Sequence, residues 1–137
     1  FIQPTQAARE DQVRIKLNPI ASTVRGKRVV LIDDSIVRGT TSARVVGILR
    51  EAGAREIHMR VSSPPFLYPC YYGTDIDSPN KLIANLHTKD EIAEIIGVDS
   101  LEYLSLDSVR RLALETQSGI CMACFDGDYP TELPDKA

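Results

Sequence analysis

Two adjacent carboxylates, followed by a loop of small and hydroxyl-bearing residues, are the part of this sequence best suited to chemistry. Asp33 and Asp34 come directly after the aliphatic residues 29–32, and residues 35–41 continue with Gly39 among them. In open α/β sheets, ligands bind beyond the carboxyl ends of the strands. Backbone N–H groups and the positive end of a following helix favour an anion there, and glycine lets the backbone approach it closely. The pattern therefore predicts a phosphate site.

Other interpretations of this segment remain at this point. The acids could simply solvate a strand–turn–helix connection, since short motifs also occur by chance. The segment is not a P-loop, because the sequence has no GxxxxGK followed by Ser or Thr, and it has no GxGxxG dinucleotide loop. A phosphate ligand outside these two classes is the remaining functional interpretation.

The elements around the acids are predicted to form a parallel α/β unit. Residues 29–32 suit a strand that is buried on both faces of a parallel sheet. Thr41 or Ser42 is expected to cap the next helix, whose apolar positions are Val45, Ile48, Leu49 and Ala52 and whose natural end is Gly53. Alternation at Ile57, Met59 and Val61 predicts a second strand, and the order strand–helix–strand predicts parallel pairing.

The second half of the sequence predicts two helices and a short strand. Thr88 and Glu91 form a capping-box pattern at the start of a helix that ends at Gly97. Residues 101–106 alternate as a short strand does, and Asp107 is expected to cap a last helix that carries Val109, Leu112 and Ala113 on one face. From residue 118 onward the sequence is loop-like.

Three cysteines, Cys70, Cys121 and Cys124, are a second candidate site. An odd number without a secretory signal argues against a disulfide framework and favours a reducing compartment. A single CxxC indicates metal binding, redox chemistry or neither, and free, partly buried cysteines are the plain alternative. Redox chemistry is the less favoured of these because the CxxC lies in a predicted loop. Zinc and iron–sulfur clusters both require four ligands.

Composition narrows the class of protein. The chain has 137 residues, 43% of them hydrophobic and 26% charged, and a net charge of −3. These values suit one globular domain and argue against nucleic acid as a partner. No apolar run reaches the roughly 20 residues of a membrane span, and the start has no signal-peptide pattern, so a cytoplasmic location without membrane association is expected. Because the first residue is Phe1 rather than Met, the sequence suggests a fragment or a processed product.

The motif resembles the phosphoribosyl pyrophosphate (PRPP) site of type I phosphoribosyltransferases, and its form DDSIVRGTT is similar to that of the amidophosphoribosyltransferases. The similarity extends to FIQPTQAARE, SSPPFLYPCYYGTDIDSP, LIANLHTKDEIAEIIGVDSLEYLSLD and CMACFDGDYPTE. It implies an α/β fold, part of the type I phosphoribosyltransferase fold, with a parallel sheet flanked by helices and a C-terminal helical and loop extension. Residues 1–117 would be the C-terminal portion of the phosphoribosyltransferase domain and residues 118–137 a cysteine-containing tail.

The resemblance also assigns roles to residues. Asp33 and Asp34 would hold the ribose hydroxyls, directly or through Mg²⁺, and Lys16 would contact the pyrophosphate. The loop around the 5-phosphate would consist of Ser35, Ile36, Val37, Arg38, Gly39, Thr40 and Thr41. An ordinary surface lysine is the alternative for Lys16.

One subclass of this family carries a 4Fe–4S cluster bound by a YPC(Y/F)YG segment and a C-terminal CxxCF segment. Cys70, Cys121 and Cys124 match three of its ligands, and the fourth would lie upstream of Phe1. A chain without that ligand is expected to hold no cluster or a defective one.

The implied activity is the transfer of glutamine-derived ammonia to C1 of PRPP with release of pyrophosphate, the first step of purine biosynthesis. Purine nucleotides would be feedback inhibitors, and the full-length protein would be a homo-oligomer, a tetramer. The glutaminase domain with its cysteine nucleophile is expected to be absent from this chain, so the chain alone should be inactive. A nucleobase-salvage phosphoribosyltransferase and a non-catalytic PRPP-sensing regulator are the alternatives.

Overall fold

A three-stranded parallel sheet is the centre of the described part of this computed structural model, which comprises residues 21–74, 76, 78–115 and 119–133. The strands are β1 (Arg28–Asp33), β2 (Glu56–Val61) and β3 (Ser100–Tyr103), in the order β1-β2-β3. The helices are α1 (Ala21–Val24), α2 (Thr40–Glu51), α3 (Ile83–Leu86), α4 (Lys89–Ile96), α5 (Leu106–Leu114) and α6 (Ala123–Asp126), with a 3₁₀ turn at Pro79–Lys81. The predicted α/β class with a parallel sheet is confirmed.

The register of the sheet aligns the carboxyl ends of its strands. Asp33 at the end of β1 pairs with Val61 at the end of β2, and Val61 pairs with Tyr103 at the end of β3. The predicted parallel pairing around the β1–α2–β2 unit is therefore confirmed. Every segment that leaves the sheet at this edge begins beside the others, which places the acids after β1 next to the connections after β2 and β3.

The prediction that β1 is buried on both faces is wrong for the described residues. Leu31 packs against the core, but on the other face Val30 is 63% exposed and Ile32 is 74% exposed. Helices α2 and α4 contribute to the core on one side of the sheet. Aliphatic residues at consecutive positions thus do not establish that both faces are covered by the elements described here.

The start of α2 differs from the prediction that Thr41 or Ser42 caps it. Gly39 occupies the N-cap with φ 78° and no side-chain hydrogen bond, and Ala43 N–H donates to the Gly39 carbonyl at 2.9 Å. Because Ser42 is buried on the first turn, its hydroxyl is not at the cap. The helix ends after Glu51 as predicted, with Gly53 in the left-handed region.

The later elements follow their sequence signals with two corrections. The strand predicted over residues 101–106 is Ser100–Tyr103, because the next helix already begins at Leu106. Thr88 and Glu91 form the predicted capping box of α4, and Gly97 ends that helix at φ 82°. The predicted Asp107 cap of α5 is wrong. Ser105 has the extended backbone that an N-cap requires, and its Oγ accepts the Ser108 N–H at 3.1 Å. A cap depends on where the preceding strand ends, and β3 ends two residues before Ser105.

The tail contains more structure than predicted. The four-residue helix α6 includes Cys124, and Cys121 lies just before it. On α5, Val109 and Ala113 are half-buried whereas Leu112 is exposed, so only part of the predicted apolar face is covered. Among the described residues, no helix is long and apolar enough to cross a bilayer.

The buried apolar residues form three clusters. The first joins the sheet to α4 and includes Ile36 from the loop after β1, and the second lies between α2 and the sheet. The third lies beyond the carboxyl edge and consists of Phe66, Ile76 and Leu82. The two candidate sites of the sequence lie beside the first and third clusters.

Candidate functional site

The two acids stand at the carboxyl end of β1. Asp33 is half-buried and Asp34 is exposed. The Asp34 N–H donates to Asp33 Oδ1 at 3.0 Å, and the Ser35 hydroxyl donates to Asp34 Oδ1 at 3.1 Å. These local bonds fix the turn after the strand and leave other carboxylate oxygens to accept from a ligand or a cation.

Burial raises the pKa of Asp33 above its usual value, and the nearby Asp34 carboxylate adds to the rise, while the hydrogen bond from Asp34 N–H opposes it. Partial desolvation beside a second carboxylate thus favours the protonated form of Asp33. A hard divalent cation would reverse that preference, because it binds ionised carboxylate oxygens. The donor set at this edge therefore fits Mg²⁺.

Ser62 is a support of this turn that the sequence interpretation missed. Its N–H and its hydroxyl both donate to the Asp33 carbonyl, at 2.9 and 3.2 Å. The signal that could have identified it is its position directly after β2, where the parallel register brings it next to the end of β1. Ser62 thereby ties the acidic turn to the neighbouring strand.

The β1–α2 loop (residues 34–39) offers a ligand both its backbone groups and the exposed side chains of Asp34 and Arg38. Ile36 is 2% exposed within the first core cluster, and Val37 packs against the third. Thr40 and Thr41 at the start of α2 are exposed. The N–H groups of a helical first turn have no acceptor within the helix. Amides and hydroxyls here form the kind of surface that binds a phosphate.

Gly39 allows the loop to pass close to α3. An added Cβ at this residue would lie 2.7 Å from Ile83 Cδ1 and 3.5 Å from Ile96 Cγ2, and φ is +78°. A side chain here would meet both a steric conflict and an unfavourable backbone conformation. Gly39 therefore determines where the loop ends and the helix begins.

Most of the predicted phosphate-site residues lie together at this edge. Residues 33–41 form one continuous turn from the end of β1 into α2. The predicted pyrophosphate contact, Lys16, lies outside the described residues. The side chains of Ile36 and Val37 point away from a ligand position, so only their backbone atoms are left for the predicted contact.

The three cysteines come from two distant segments that pack together, here called the cysteine region (residues 66–76 and 121–129). Cys70 and Cys124 pack against the cluster of Phe66, Ile76 and Leu82. The Cys70 sulfur accepts the Tyr72 N–H at 3.5 Å, and this bond is the main reason why the Cys70 pKa is lowered. Backbone N–H donors to sulfur also stabilise metal-bound thiolates.

Cys124 has the opposite electrostatic environment. Its pKa is raised to about 11, mainly by burial, and the nearby Cys70 and Cys121 contribute to this rise. Cys70 and Cys121 are thus both close enough to Cys124 to affect its titration. A raised pKa does not suit a reactive redox thiol, whereas a bound metal would deprotonate it.

The cysteine region fits part of a metal–thiolate ligand set. It supplies three soft donors, and a tetrahedral or cluster site requires a fourth. No three His, Cys, Asp or Glu side chains of residues 21–74, 76, 78–115 and 119–133 already stand as a group that could hold a metal ion. The fold thus brings these three described cysteines into one region, but their sulfur atoms are not arranged as a metal site.

Long-range contacts hold the two segments of this region together. The Cys124 carbonyl accepts the N–H groups of Leu67 and Tyr68 at 3.0 and 3.1 Å. The Tyr129 hydroxyl donates to the Pro69 carbonyl at 2.7 Å, and the rings of Phe66 and Phe125 are 5.0 Å apart. These contacts could not be predicted from local sequence patterns, because the partners lie about sixty residues apart.

His58 belongs to a structural network on the open face of the sheet. Its Nδ1 lies 2.9 Å from Ser100 Oγ, and its Nε2 lies 3.2 Å from Glu56 Oε2. Arg28 Nε is 2.6 Å from the same Glu56 oxygen. These neighbours account for the histidine without a catalytic role.

Comparisons with known proteins match nearly the whole chain to amidophosphoribosyltransferases. It is 56% identical over 135 residues to an amidophosphoribosyltransferase from Synechocystis, covering 98% of this chain and 27% of that protein. Identity to the amidophosphoribosyltransferase of Bacillus subtilis is 51% over 137 residues, covering 97% of this chain and 29% of that protein. No family model matches the sequence.

A solved structure has the same backbone arrangement. The glutamine PRPP amidotransferase from B. subtilis, complexed with ADP and GMP, superposes with a TM-score of 0.76 and 47% sequence identity, covering 98% of this chain and 30% of that one. The chain therefore spans less than a third of the length of these relatives.

Proposed function

Because this chain is a member of the amidophosphoribosyltransferase family and has part of the type I phosphoribosyltransferase fold, we propose that it forms the PRPP-binding part of such an enzyme. The enzyme transfers ammonia to C1 of PRPP and releases pyrophosphate, which gives 5-phosphoribosylamine in the first step of purine biosynthesis. The observation that carries the proposal is the acid pair at the end of β1, followed by the β1–α2 loop that opens a twelve-residue helix.

The proposed binding mode follows from the groups at this edge. The backbone N–H groups of the loop and the hydroxyls of Thr40 and Thr41 receive the 5-phosphate, aided by the positive end of α2. Asp33 and Asp34 receive the ribose hydroxyls. The buried side chain of Ile36 and the half-buried side chain of Val37 hold the loop in place, so that its donors are oriented before the ligand arrives.

The reaction is assisted by charge. Loss of pyrophosphate develops positive charge on the ribose ring, which the carboxylates of Asp33 and Asp34 stabilise. Mg²⁺ bound by these carboxylates and by the pyrophosphate would neutralise the leaving group. Lys16 is proposed to contact the same pyrophosphate as a point charge. Ammonia is nucleophilic in its neutral form, so the site needs orientation and exclusion of water more than a general base.

Calorimetric titration of the full-length protein with PRPP and Mg²⁺ tests this proposal. Asp34→Asn should weaken PRPP binding at least about tenfold, because a charge-assisted contact of this kind contributes on the order of 1.5–3 kcal/mol. Asp90→Asn is the matched control, since Asp90 is also an exposed carboxylate but lies on α4. Unchanged affinity in Asp34→Asn would overturn the assignment of the ligand site.

Cys70, Cys121 and Cys124 are proposed as three ligands of a 4Fe–4S cluster, with the fourth ligand outside this chain. Support comes from the packing of Cys70 and Cys124 against one cluster, from the effect of Cys121 on the pKa of Cys124, and from the N–H bond to Cys70. The cluster would supply iron–thiolate bonds that tie the two segments of the cysteine region together. Full-length protein purified without oxygen should be brown and contain about four irons per chain. Stoichiometric zinc without visible absorbance would contradict the proposal.

Further parts of the proposal concern the full-length protein. Residues 1–117 belong to the phosphoribosyltransferase domain and residues 118–137 to its cysteine-containing tail, while ammonia comes from glutamine hydrolysed by a separate domain. Purine nucleotides are proposed as feedback ligands, since the B. subtilis structure is a complex with ADP and GMP. A cytoplasmic homo-oligomer is proposed, which analytical ultracentrifugation of the full-length protein would test.

A further inference from the structure

Val37 connects the two candidate sites. It lies in the middle of the β1–α2 loop, yet its side chain packs against the cluster of Phe66, Ile76 and Leu82. Cys70 and Cys124 pack against the same cluster. Val37, whose proposed contact with a phosphate is through its backbone, therefore packs against the same apolar cluster as Cys70 and Cys124.

The backbone of Val37 strengthens this connection. Its carbonyl accepts the Ile83 N–H at 2.9 Å. Leu82 and Ile83 are both buried, at 0% and 5% exposure, but they belong to different clusters. Leu82 lies with the cysteines, whereas Ile83 lies in the cluster that also holds Ile36 of the loop. Two adjacent residues thus join the two clusters.

The cysteines are connected to this cluster by main-chain bonds as well as by packing. The Cys70 N–H donates to the Ile76 carbonyl at 3.0 Å, and the Cys124 carbonyl accepts from the two residues that follow Phe66. Movement of either cysteine consequently displaces a residue that Val37 contacts or its immediate neighbour. Well-packed clusters transmit such displacements because they contain little free volume.

We propose that Val37 is a positioning residue that couples the β1–α2 loop to the cysteine region. A bound group on the cysteines would then hold the loop in its phosphate-binding form, and a ligand in the loop would protect the cysteines. The inference rests on the proposed PRPP site and adds a connection to it. Thermodynamic linkage requires the effect to act equally in both directions, and couplings of this kind typically change affinities by about 5–150-fold.

The reactivity of the cysteines measures this coupling without reference to catalysis. Full-length protein is incubated with an iron chelator and iodoacetamide, and alkylation of Cys70 and Cys124 is followed by mass spectrometry. The probe is ribose 5-phosphate. It carries the same 5-phosphate as PRPP, but it has no pyrophosphate group that Mg²⁺ would have to neutralise. Saturating probe should slow the alkylation of both cysteines about fivefold in the unmodified protein. Equal rates with and without bound probe would overturn the proposal.

Variants identify the residue responsible. In Val37→Ala, the protection at saturating probe should fall below about twofold, because the side chain that joins the loop to the cluster is truncated. Val37→Ile, which keeps the branched side chain, should retain it. Val98→Ala is the matched control, since Val98 is half-buried against the first and second clusters but not against the cysteine cluster. Full protection in Val37→Ala would show that the coupling does not pass through this side chain.

Failure of the proposed function is distinguishable from failure of the coupling. If neither ribose 5-phosphate nor PRPP binds the unmodified protein in calorimetry, the proposed ligand site is wrong and the coupling falls with it. If both bind and the cysteines are not protected, the site stands and the coupling is wrong. The measurement on the unmodified protein remains decisive even if Val37→Ala does not fold.

Discussion

The β1–α2 loop and the cysteine region place their binding groups by opposite means. Around the loop, the groups that would meet a ligand come from the nine consecutive residues 33–41, and most of the donors are backbone atoms. In the cysteine region, the groups are side chains of residues about fifty positions apart. The loop is held by the buried side chain of Ile36 and by the close approach of Gly39 to α3. The cysteine region is held by aromatic contacts and by hydrogen bonds between its two segments.

This difference predicts how each region fails. A change at the loop should alter ligand binding with a limited effect on the rest of the fold, because the sheet and the first cluster remain. A change in the cysteine region should loosen two segments at once, because few regular elements hold them. Substitutions in each region test whether the two regions respond in these separate ways.

Phe66→Ala should have the largest effect on stability. Phe66 belongs to the apolar cluster that supports Cys70 and Cys124, and its ring contacts Phe125. Truncation of a buried aromatic side chain typically costs about 3–5 kcal/mol, and we expect the lower end because Phe66 is still 8% exposed. Chemical denaturation of the full-length protein measures the loss.

The control for this substitution is Phe66→Leu, which keeps much of the apolar volume and should recover more than half of the stability. Alkylation of Cys70 and Cys124 should become faster in Phe66→Ala than in Phe66→Leu. A loss below about 1 kcal/mol in Phe66→Ala would mean that the aromatic contacts do not hold the cysteine region together.

Gly39→Ala should have the next largest effect, and it should fall mainly on ligand binding. The new methyl group would lie 2.7 Å from Ile83 Cδ1 at a positive φ. Overpacking and the left-handed backbone together predict a loss of about 2 kcal/mol in the free energy of unfolding. PRPP affinity, measured by calorimetry, should decrease more than tenfold because the loop donors shift with Gly39.

Gly47→Ala is the matched control for this change. Gly47 lies inside α2, and an added Cβ there has no neighbour within 4 Å. Alanine at this helical position should increase stability by about 0.5–1 kcal/mol and leave PRPP affinity unchanged. Equal behaviour of the two variants would show that the loop does not depend on its close approach to α3.

The loop could be predicted from the sequence because its signals are local. An aliphatic run, two acids and a glycine before a helix follow one another along the chain. Their order in the sequence therefore predicts their order in the strand, the loop and the helix. What the sequence did not predict was the cap. Hydroxyl residues at positions 40–42 are good candidates for an N-cap, but the contact between Gly39 and Ile83 places the helix start earlier.

The cysteine region was predictable only in part, because its determinants are long-range. The sequence identified Cys70, Cys121 and Cys124 as one candidate group, while the short helix α6 and the contact of Phe66 with Phe125 depend on tertiary packing. The burial of β1 was overestimated for a related reason. An aliphatic run shows that its side chains are apolar. Whether other elements cover Val30 and Ile32 depends on parts of the fold that are distant in sequence.

Ser105→Ala tests the connection between the sheet and the cysteine region. Ser105 caps α5, and Arg110 on that helix lies 3.7 Å from Asp126 of α6. Loss of the cap should cost about 1 kcal/mol of stability. Alkylation of Cys124 should become modestly faster, while PRPP affinity should stay within twofold of the unmodified protein. Ser105→Asp, which can also cap the helix, should behave as the unmodified protein does.

Asp33→Asn should have the smallest effect on stability, and the sign should be positive. Burial raises the pKa of Asp33, so the folded protein favours its neutral form, and its charge destabilises the fold above that pKa. Asparagine removes the charge and can still accept the Asp34 N–H. We expect a gain of less than about 1 kcal/mol near pH 7, because the carboxylate is only partly buried and solvent screens it.

The gain should depend on pH in a defined direction. It should shrink as the pH falls through the raised pKa of Asp33 and disappear below 3.8, where the carboxyl group is protonated in both the folded and the unfolded states. PRPP affinity should decrease in the same variant, so that binding and stability change in opposite directions, as expected for a group retained for function. A loss of stability at pH 7 would instead mean that the Asp33 carboxylate contributes to holding the β1–α2 loop. The stability of the loop would then depend on a charged side chain, as the stability of the cysteine region depends on its aromatic side chains.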